Sequence, residues 1–209
     1  MTTPSVRLGP SASEQWLEAP SHLAMVLARY KAASVLIGNA RSVVELGCGE
    51  GIGARVLASG RQHYVGIDRD FRAIHAAKRV HATPEWERLT FLVDDILTLD
   101  AAPKNDAVVA LDVIEHTPRE QEDIFMQNAA RVLTTSGVIV IGTPSARFDH
   151  LASPQSAAAH VNTYTHERLY LLMSRYYHVV QSFGMQDVSL HLGHPDARHY
   201  LIMVGVMPR

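Results

Sequence analysis

Six residues, LDVIEH (111–116), carry three ionisable side chains, Asp112, Glu115 and His116, directly after the apolar run DAVVAL. Charge at the end of a buried strand costs free energy unless it is paired or serves chemistry. A neutral imidazole is available at pH 7, so His116 can act as a general base, with Glu115 orienting it or binding a substrate hydroxyl. The same residues also suit a plainer role, bonding the turn into the next helix. A second set of acids lies upstream. Glu45 sits inside SVVEL just before the glycine-rich turn GCGEGIG, Asp68 follows HYVGI, and Asp94 and Asp95 follow LTFLV. Asp68 comes 19 residues after Gly49, where a carboxylate can accept hydrogen bonds from both hydroxyls of a ribose. Asp95 is positioned for an adenine amino group, with Ile96 against the ring.

These residues need elements to hold them. SVVEL (42–46), HYVGI (63–67), LTFLV (89–93), DAVVAL (106–111) and GVIVIGT (137–143) read as buried strands. Helical spacing predicts helices over 21–37 behind a Ser21 cap, in GARVLASG closing at Gly60, in FRAIHAAKRVH, and over 119–133. Strands alternating with helices predict an α/β fold with a mostly parallel sheet covered on both faces. Ligands of such sheets lie at the carboxyl ends of the strands, where the acids fall. ERLYLLMSRYY reads as a further helix. HVVQSFGM and HYLIMVGV read as an antiparallel pair at the sheet edge, joined by DVSLHLGHPDAR. Residues 1–20 read as a flexible N-terminal segment, and 21–209 as one domain. Residues 144–165 form a long polar stretch with little periodicity, the mark of a functional loop, read here as a lid.

The order E-L-G-C-G-E-G, V-G-I-D, F-x-x-x-D-I and D-x-V-V-x-x-x-V-I-E-H resembles the class I S-adenosylmethionine-dependent methyltransferases over roughly residues 22–180. The resemblance implies a Rossmann-like fold and an enzyme that binds S-adenosylmethionine. It implies that Gly47 and Gly49 contact the methionine end of the cofactor, Asp68 the ribose and Asp95 the adenine. Arg29, in an R-Y pair on the preceding helix, is the candidate for the cofactor carboxylate. Glu45, Cys48, Arg69, Ile96 and Leu111 complete the expected cofactor-binding set. A rival reading, a nucleotide-binding fold for NAD, wants G-x-G-x-x-G, whereas this turn reads G-x-G-x-G.

D-x-x-E-H further resembles the E-x-x-E-H of two metal-dependent branches, the ubiquinone-pathway O-methyltransferases and the small-RNA 2′-O-methyltransferases. In the RNA enzymes a histidine five residues before a helix-opening threonine completes the site, and His160 stands five residues before Thr165. The resemblance therefore implies Asp112, Glu115, His116 and His160 as ligands of Mg²⁺ or a similar divalent ion. The ion would lower the pKa of a bound hydroxyl. Asp112 departs from the glutamate of those families. Of the other histidines, His75 and His81 are expected on a surface helix face. The tail FGMQDVSLHLGHPDARHYL is similar to that of bacterial surface-polysaccharide methyltransferases, which would bring Asp187 and His191 near an acceptor.

The 209 residues are 47% apolar and 19% charged, with a net charge of −2, a balance that suits a globular domain rather than a general nucleic-acid binder. One cysteine excludes an internal disulfide, and no run has the length of a membrane span; a cytoplasmic protein is expected. The expected activity is O-methylation of a sugar or other polyhydroxylated small molecule, with a homodimer as the assembly considered. Amino-sugar nitrogen, quinol and RNA 3′-terminal ribose are the alternative acceptors. A catalytically silent cofactor-binding module is the alternative of another class.

Overall fold

The computed structural model describes residues 6–99, 103–151, 153–192 and 198–209. Helices α1 (Pro10–Glu18) and α2 (Pro20–Leu36) lead into β1 (Ser42–Leu46), α3 (Ala54–Ala58), β2 (His63–Asp68), α4 (Phe71–Val80) and β3 (Leu89–Val93). Strand β4 (Asn105–Leu111), helix α5 (Glu122–Arg131) and strand β5 (Leu133–Pro144) follow. Helices α6 (Pro154–Ala159) and α7 (His166–Ser174) come next, then strands β6 (Tyr177–Gln186), β7 (Ser189–Leu192) and β8 (Tyr200–Pro208).

One eight-stranded sheet runs β3-β2-β1-β4-β5-β8-β6-β7. The five strands from β3 to β5 are parallel, and β8, β6 and β7 pair antiparallel beyond them. Parallel strands covered on both faces read as continuous apolar runs, which is why VVEL and DAVVAL lack alternation. Tyr30 and Ala33 of α2, Leu57 of α3 and Ile74 of α4 pack on one face. Phe125 and Met126 of α5 and Leu169 and Met173 of α7 pack on the other. The sheet direction reverses after β5, so the carboxyl ends of β1 to β5 share one rim.

The structure departs from the sequence reading at several points. Pro10–Glu18 is helical where a flexible segment was expected. Its first turn has Gly9 as cap, which has no side chain to accept a bond, and the Glu50 carboxylate of the glycine-rich turn accepts from Ser11 and Ala12 N–H instead. Helix α2 starts at Pro20, with no cap from Ser21. The segment after β5 holds a 3₁₀ stretch, Ala146–Leu151, and α6, and it is pinned by a bridge between Ser145 and Tyr164. The β6–β8 connector contains a strand of its own, β7. Among the described residues no helix is long and apolar enough to cross a membrane.

Candidate functional site

The carboxyl ends of β1, β2, β3 and β4 surround a cavity of about 340 Å³. Gly47, Asp68, Arg69, Asp95 and Ile96 line one side and Asp112 and His116 the other, so seven of the predicted residues meet there. The turn after β1 closes tightly: Gly47 has φ 72°, and a Cβ on it would come within 2.4 Å of Val113. Only glycine fits that approach. Gly47 and Cys48 donate their N–H groups to the Ile67 carbonyl at 2.8 and 3.0 Å. Gly49 N–H donates to Asp68 Oδ2 at 2.8 Å and Asp70 N–H to Oδ1 at 2.9 Å. Both carboxylate oxygens are thus aimed before any ligand arrives, and each keeps lone pairs for a diol. Asp95 Oδ1 accepts from Leu97 N–H at 2.9 Å, a local turn that fixes the third acid.

His81 supports this turn from behind, contrary to the expectation of a surface residue. It is buried, stacked on Phe91 at 5.2 Å between centroids. Arginine can only donate, so His81 Nδ1 accepts from Arg55 Nε at 3.2 Å and Nε2 donates to the Gly51 carbonyl at 3.0 Å. Burial lowers its pKa and keeps this neutral tautomer. Nothing in the sequence signals the role, because the ring is reached by the helix C-terminus folding under the turn.

Other cofactor candidates sit outside the cavity lining. Glu45 is buried and accepts from Tyr30 Oη at 2.7 Å and, at very close range, from Tyr64 Oη. Burial pushes its pKa up to about 7, against the pull of the two hydroxyls. Tyr30 reaches it across Gly53, where a Cβ would lie 2.0 Å from the ring. Glu45 is therefore a strut joining α2, β1 and β2. Cys48 is buried, and burial raises its thiol far above the usual range, so it packs rather than reacts. Leu111 belongs to the core beside Gly142, and Gly49 acts through Asp68. Arg29 pairs with Asp112, Nη1 lying 3.2 and 3.0 Å from the two carboxylate oxygens, and its guanidinium stacks 4.0 Å over Tyr200.

Glu115 differs from Glu45. It is equally buried, and Oε2 accepts from Thr143 Oγ1 at 3.0 Å, but Oε1 has no partner. Burial first, and the Asp112 charge second, push its pKa up to about 8. His116 donates Nδ1–H to the Ala159 carbonyl at 3.0 Å, which leaves Nε2 with its lone pair. The His160 ring stands 5.2 Å from that of His116 at 65°. Burial and the neighbouring His116 lower the His160 pKa, favouring the neutral form. Ligand atoms of Glu115, His116 and His160 all lie within 4.8 Å of one another. Asp112, predicted as the fourth ligand, is not in this group, because Arg29 holds its carboxylate. Two imidazole nitrogens and a carboxylate oxygen suit a divalent first-row ion, and the orphaned Oε1 is the atom such an ion would satisfy.

His160 reaches the site because the chain after it is anchored. Asn162 N–H donates to the Glu115 carbonyl at 3.1 Å. Asn162 Nδ2 donates to Tyr164 Oη at 2.7 Å, and Tyr164 and Arg168 both donate to Glu122 of α5. The sequence reading missed these positioning residues, which carry no signal beyond polar side chains in a loop. Of the tail residues, Asp187 forms the β6–β7 turn at φ 54° and His191 pairs with Gly184 on the edge strand. His194 lies outside the described residues.

Residues 43–137 match the family model of a methyltransferase domain. A probable S-adenosylmethionine-dependent methyltransferase of Mycobacterium tuberculosis is 32% identical over 107 residues, 51% of this chain and 36% of the relative. A ubiquinone biosynthesis O-methyltransferase of Bradyrhizobium diazoefficiens is 27% identical over 101 residues, 48% of this chain and 39% of the relative. The match thus spans little more than a third of the length of these curated relatives. Among solved structures, the methyltransferase domain of bacterial CtHen1-C superposes with a TM-score of 0.72 at 17% identity, covering 88% of this chain and 100% of that one. The N-methyltransferase NodS of Bradyrhizobium japonicum, solved with S-adenosylhomocysteine, gives 0.65 at 18% identity, covering 93% and 91%. The chain has the Rossmann-like fold of these methyltransferase structures, and its residues from β1 into β5 are similar to a methyltransferase domain.

Proposed function

We propose that the protein transfers a methyl group from S-adenosylmethionine to a hydroxyl of a sugar or another polyhydroxylated small molecule, with a divalent ion held by Glu115, His116 and His160. The observation that carries this reading is the buried, unpartnered Oε1 of Glu115 beside two histidine rings. A buried polar atom without a partner costs about 1–3 kcal/mol, a cost an ion would remove. The O-methyltransferase relative supports oxygen as the acceptor atom.

In this reading Asp68 takes the ribose hydroxyls, Asp95 and Ile96 the adenine, and Gly47 lets the backbone approach the methionine end, with Arg29 for its carboxylate. Arg69 closes the cavity wall. The methyl group then points across toward His116. Methyl transfer is an in-line displacement at carbon, so the chain must align an oxygen lone pair and remove its proton. A divalent ion would lower the pKa of a bound hydroxyl. With Nδ1 bonded to the Ala159 carbonyl, His116 has only Nε2 to offer the ion, so the proton of the bound hydroxyl would leave to solvent rather than to His116. Residues 144–165, which position His160 and expose Asp149 and His150, serve as the wall or lid of the acceptor site. The mild negative charge favours a small acceptor over RNA.

Methyl transfer from labelled S-adenosylmethionine to a panel of sugars, amino sugars, quinols and short RNAs tests the reading. Labelling of a hydroxyl acceptor, lost with a chelator and restored by Mg²⁺ or Mn²⁺, is the expected result. Labelling that ignores the chelator, with His116→Ala crippling and His160→Ala mild, would replace the ion by His116 acting alone as base.

A further inference from the structure

Strand β3 ends the sheet, and among the described residues it pairs with β2 alone. Its backbone groups alternate in direction, as parallel pairing requires. The Arg88 carbonyl accepts from Tyr64 N–H at 3.3 Å, and Asp94 N–H donates to the Asp68 carbonyl at 3.1 Å, so the even-numbered residues face β2. The N–H and carbonyl groups of Leu89, Phe91 and Val93 therefore point away from the sheet. Nothing on the strand discourages a further strand: LTFLV holds no charge, no proline and no bulge, the usual protections of an edge. Leu92 and Val93 are 44% and 53% exposed. A groove of about 640 Å³ is lined by Leu89 and Phe91, from one face of the strand, and by Thr90 and Leu92, from the other, so it lies along the free edge. The 3₁₀ turn Pro84–Trp86 supplies Pro84 and Trp86 as its wall.

We infer that this edge is an interface between two copies of the chain, β3 pairing antiparallel with β3 of the second copy about a two-fold axis at Phe91. A two-fold axis normal to the sheet keeps each face on its own side, so only residues of equal parity stand opposite one another. Centring the axis on Phe91 uses every outward residue. Phe91 faces the partner's Phe91 and Leu89 faces the partner's Val93, and each pair exchanges two backbone hydrogen bonds. Thr90 then stands opposite the partner's Leu92, so the cross-strand pairs cover the exposed apolar surface. The strand also carries opposite charge at its two ends, Arg88 before it and Asp94 after it. Antiparallel pairing sets each Arg88 level with the partner's Asp94, whereas parallel pairing sets like beside like. Asp95 and Ile96, which follow β3, line the cavity, so each site lies directly behind the interface.

Sedimentation equilibrium of the full chain over roughly 1–100 µM tests this. Wild type should reach twice the chain mass, and Leu92→Lys should stay at the chain mass. Val35→Lys, which charges an exposed apolar residue of α2, should remain dimeric, with circular dichroism checking that both variants fold. Cysteine pairing reads the register without a disruptive change, since the native Cys48 is buried. Thr90→Cys and Leu92→Cys proteins, each oxidised alone, should stay unlinked, because like residues sit diagonally at about 7–8 Å. An equal mixture of the two should form a disulfide-linked dimer. Wild type at the chain mass throughout leaves the edge to another occupant and overturns the inference. So does a dimer that survives Leu92→Lys, or one that Val35→Lys also abolishes. A mixture that fails to link, or links no better than the single variants, overturns it too.

Discussion

Glu45 and Glu115 are both about 1% exposed, and both stand near the carboxyl ends of neighbouring parallel strands or just beyond. Their surroundings separate them. Glu45 has a tyrosine hydroxyl on each oxygen and does not line the cavity. Glu115 has one oxygen on Thr143 and the other on nothing, with two histidines in reach. Burial is the main cause that raises both pKa values, to about 7 and about 8, so the shift does not mark the functional acid. The unsatisfied lone pair does. A fully bonded buried carboxyl holds a fold together, whereas a half-bonded one waits for a ligand.

The largest expected effect is on stability. Glu45→Ala strands the Tyr30 and Tyr64 hydroxyls in the core, at a cost of about 2–6 kcal/mol together, read as a lower urea midpoint. Glu115→Ala leaves only the Thr143 hydroxyl unpaired and should cost far less. Equal losses would erase the distinction between strut and site.

Activity should reverse that order. His160→Ala should lose activity about as fully as His116→Ala, on the order of a hundredfold or more in metal-supported turnover, because ligands of one ion act as a unit. Glu45→Gln, which keeps polar atoms facing both tyrosines, should stay within about threefold of wild type. An inactive but folded Glu45→Gln would place Glu45 in the chemistry after all.

A smaller effect concerns pH. Both carboxyls have folded pKa values above the usual carboxylate range, so the native state binds more protons than the unfolded chain between them. The stability they contribute is present at low pH and is lost as pH rises from about 4.5 through about 7 for Glu45 and about 8 for Glu115. Denaturant titrations of metal-free protein should show the decline. Glu115→Gln should remove its upper part, leaving a curve that is flat above about pH 7. An unchanged slope in that variant would mean Glu115 is already ionised and paired in the native state.

Much of the frame was legible because its signals are local. Apolar runs gave five strands, and the glycine spacing gave the turn that brings Asp68 and Asp95 to one rim. What the sequence did not show depends on contacts between distant segments. The bonds that bury Glu45 were not legible because its tyrosine partners lie 15 and 19 positions away on other elements. His81 read as exposed because the turn it supports precedes it by 30 residues. The helix over Pro10–Glu18 was hidden because its cap is supplied by Glu50 rather than by a neighbouring side chain. His160 was found only through a resemblance, and the anchors that place it, Asn162 and Tyr164, had no motif of their own.

The central claim is that Glu115 is the acid held ready for an ion. Isothermal titration of Mn²⁺ into the protein with S-adenosylhomocysteine, at pH 6.5 and pH 8, tests it most directly. One site should appear, tighter at pH 8 because the ion must displace the Glu115 proton, and it should vanish in Glu115→Gln and His160→Ala while persisting in Glu45→Gln. Mn²⁺ binding that is absent in wild type, or unchanged by loss of Glu115 and His160, would contradict the account.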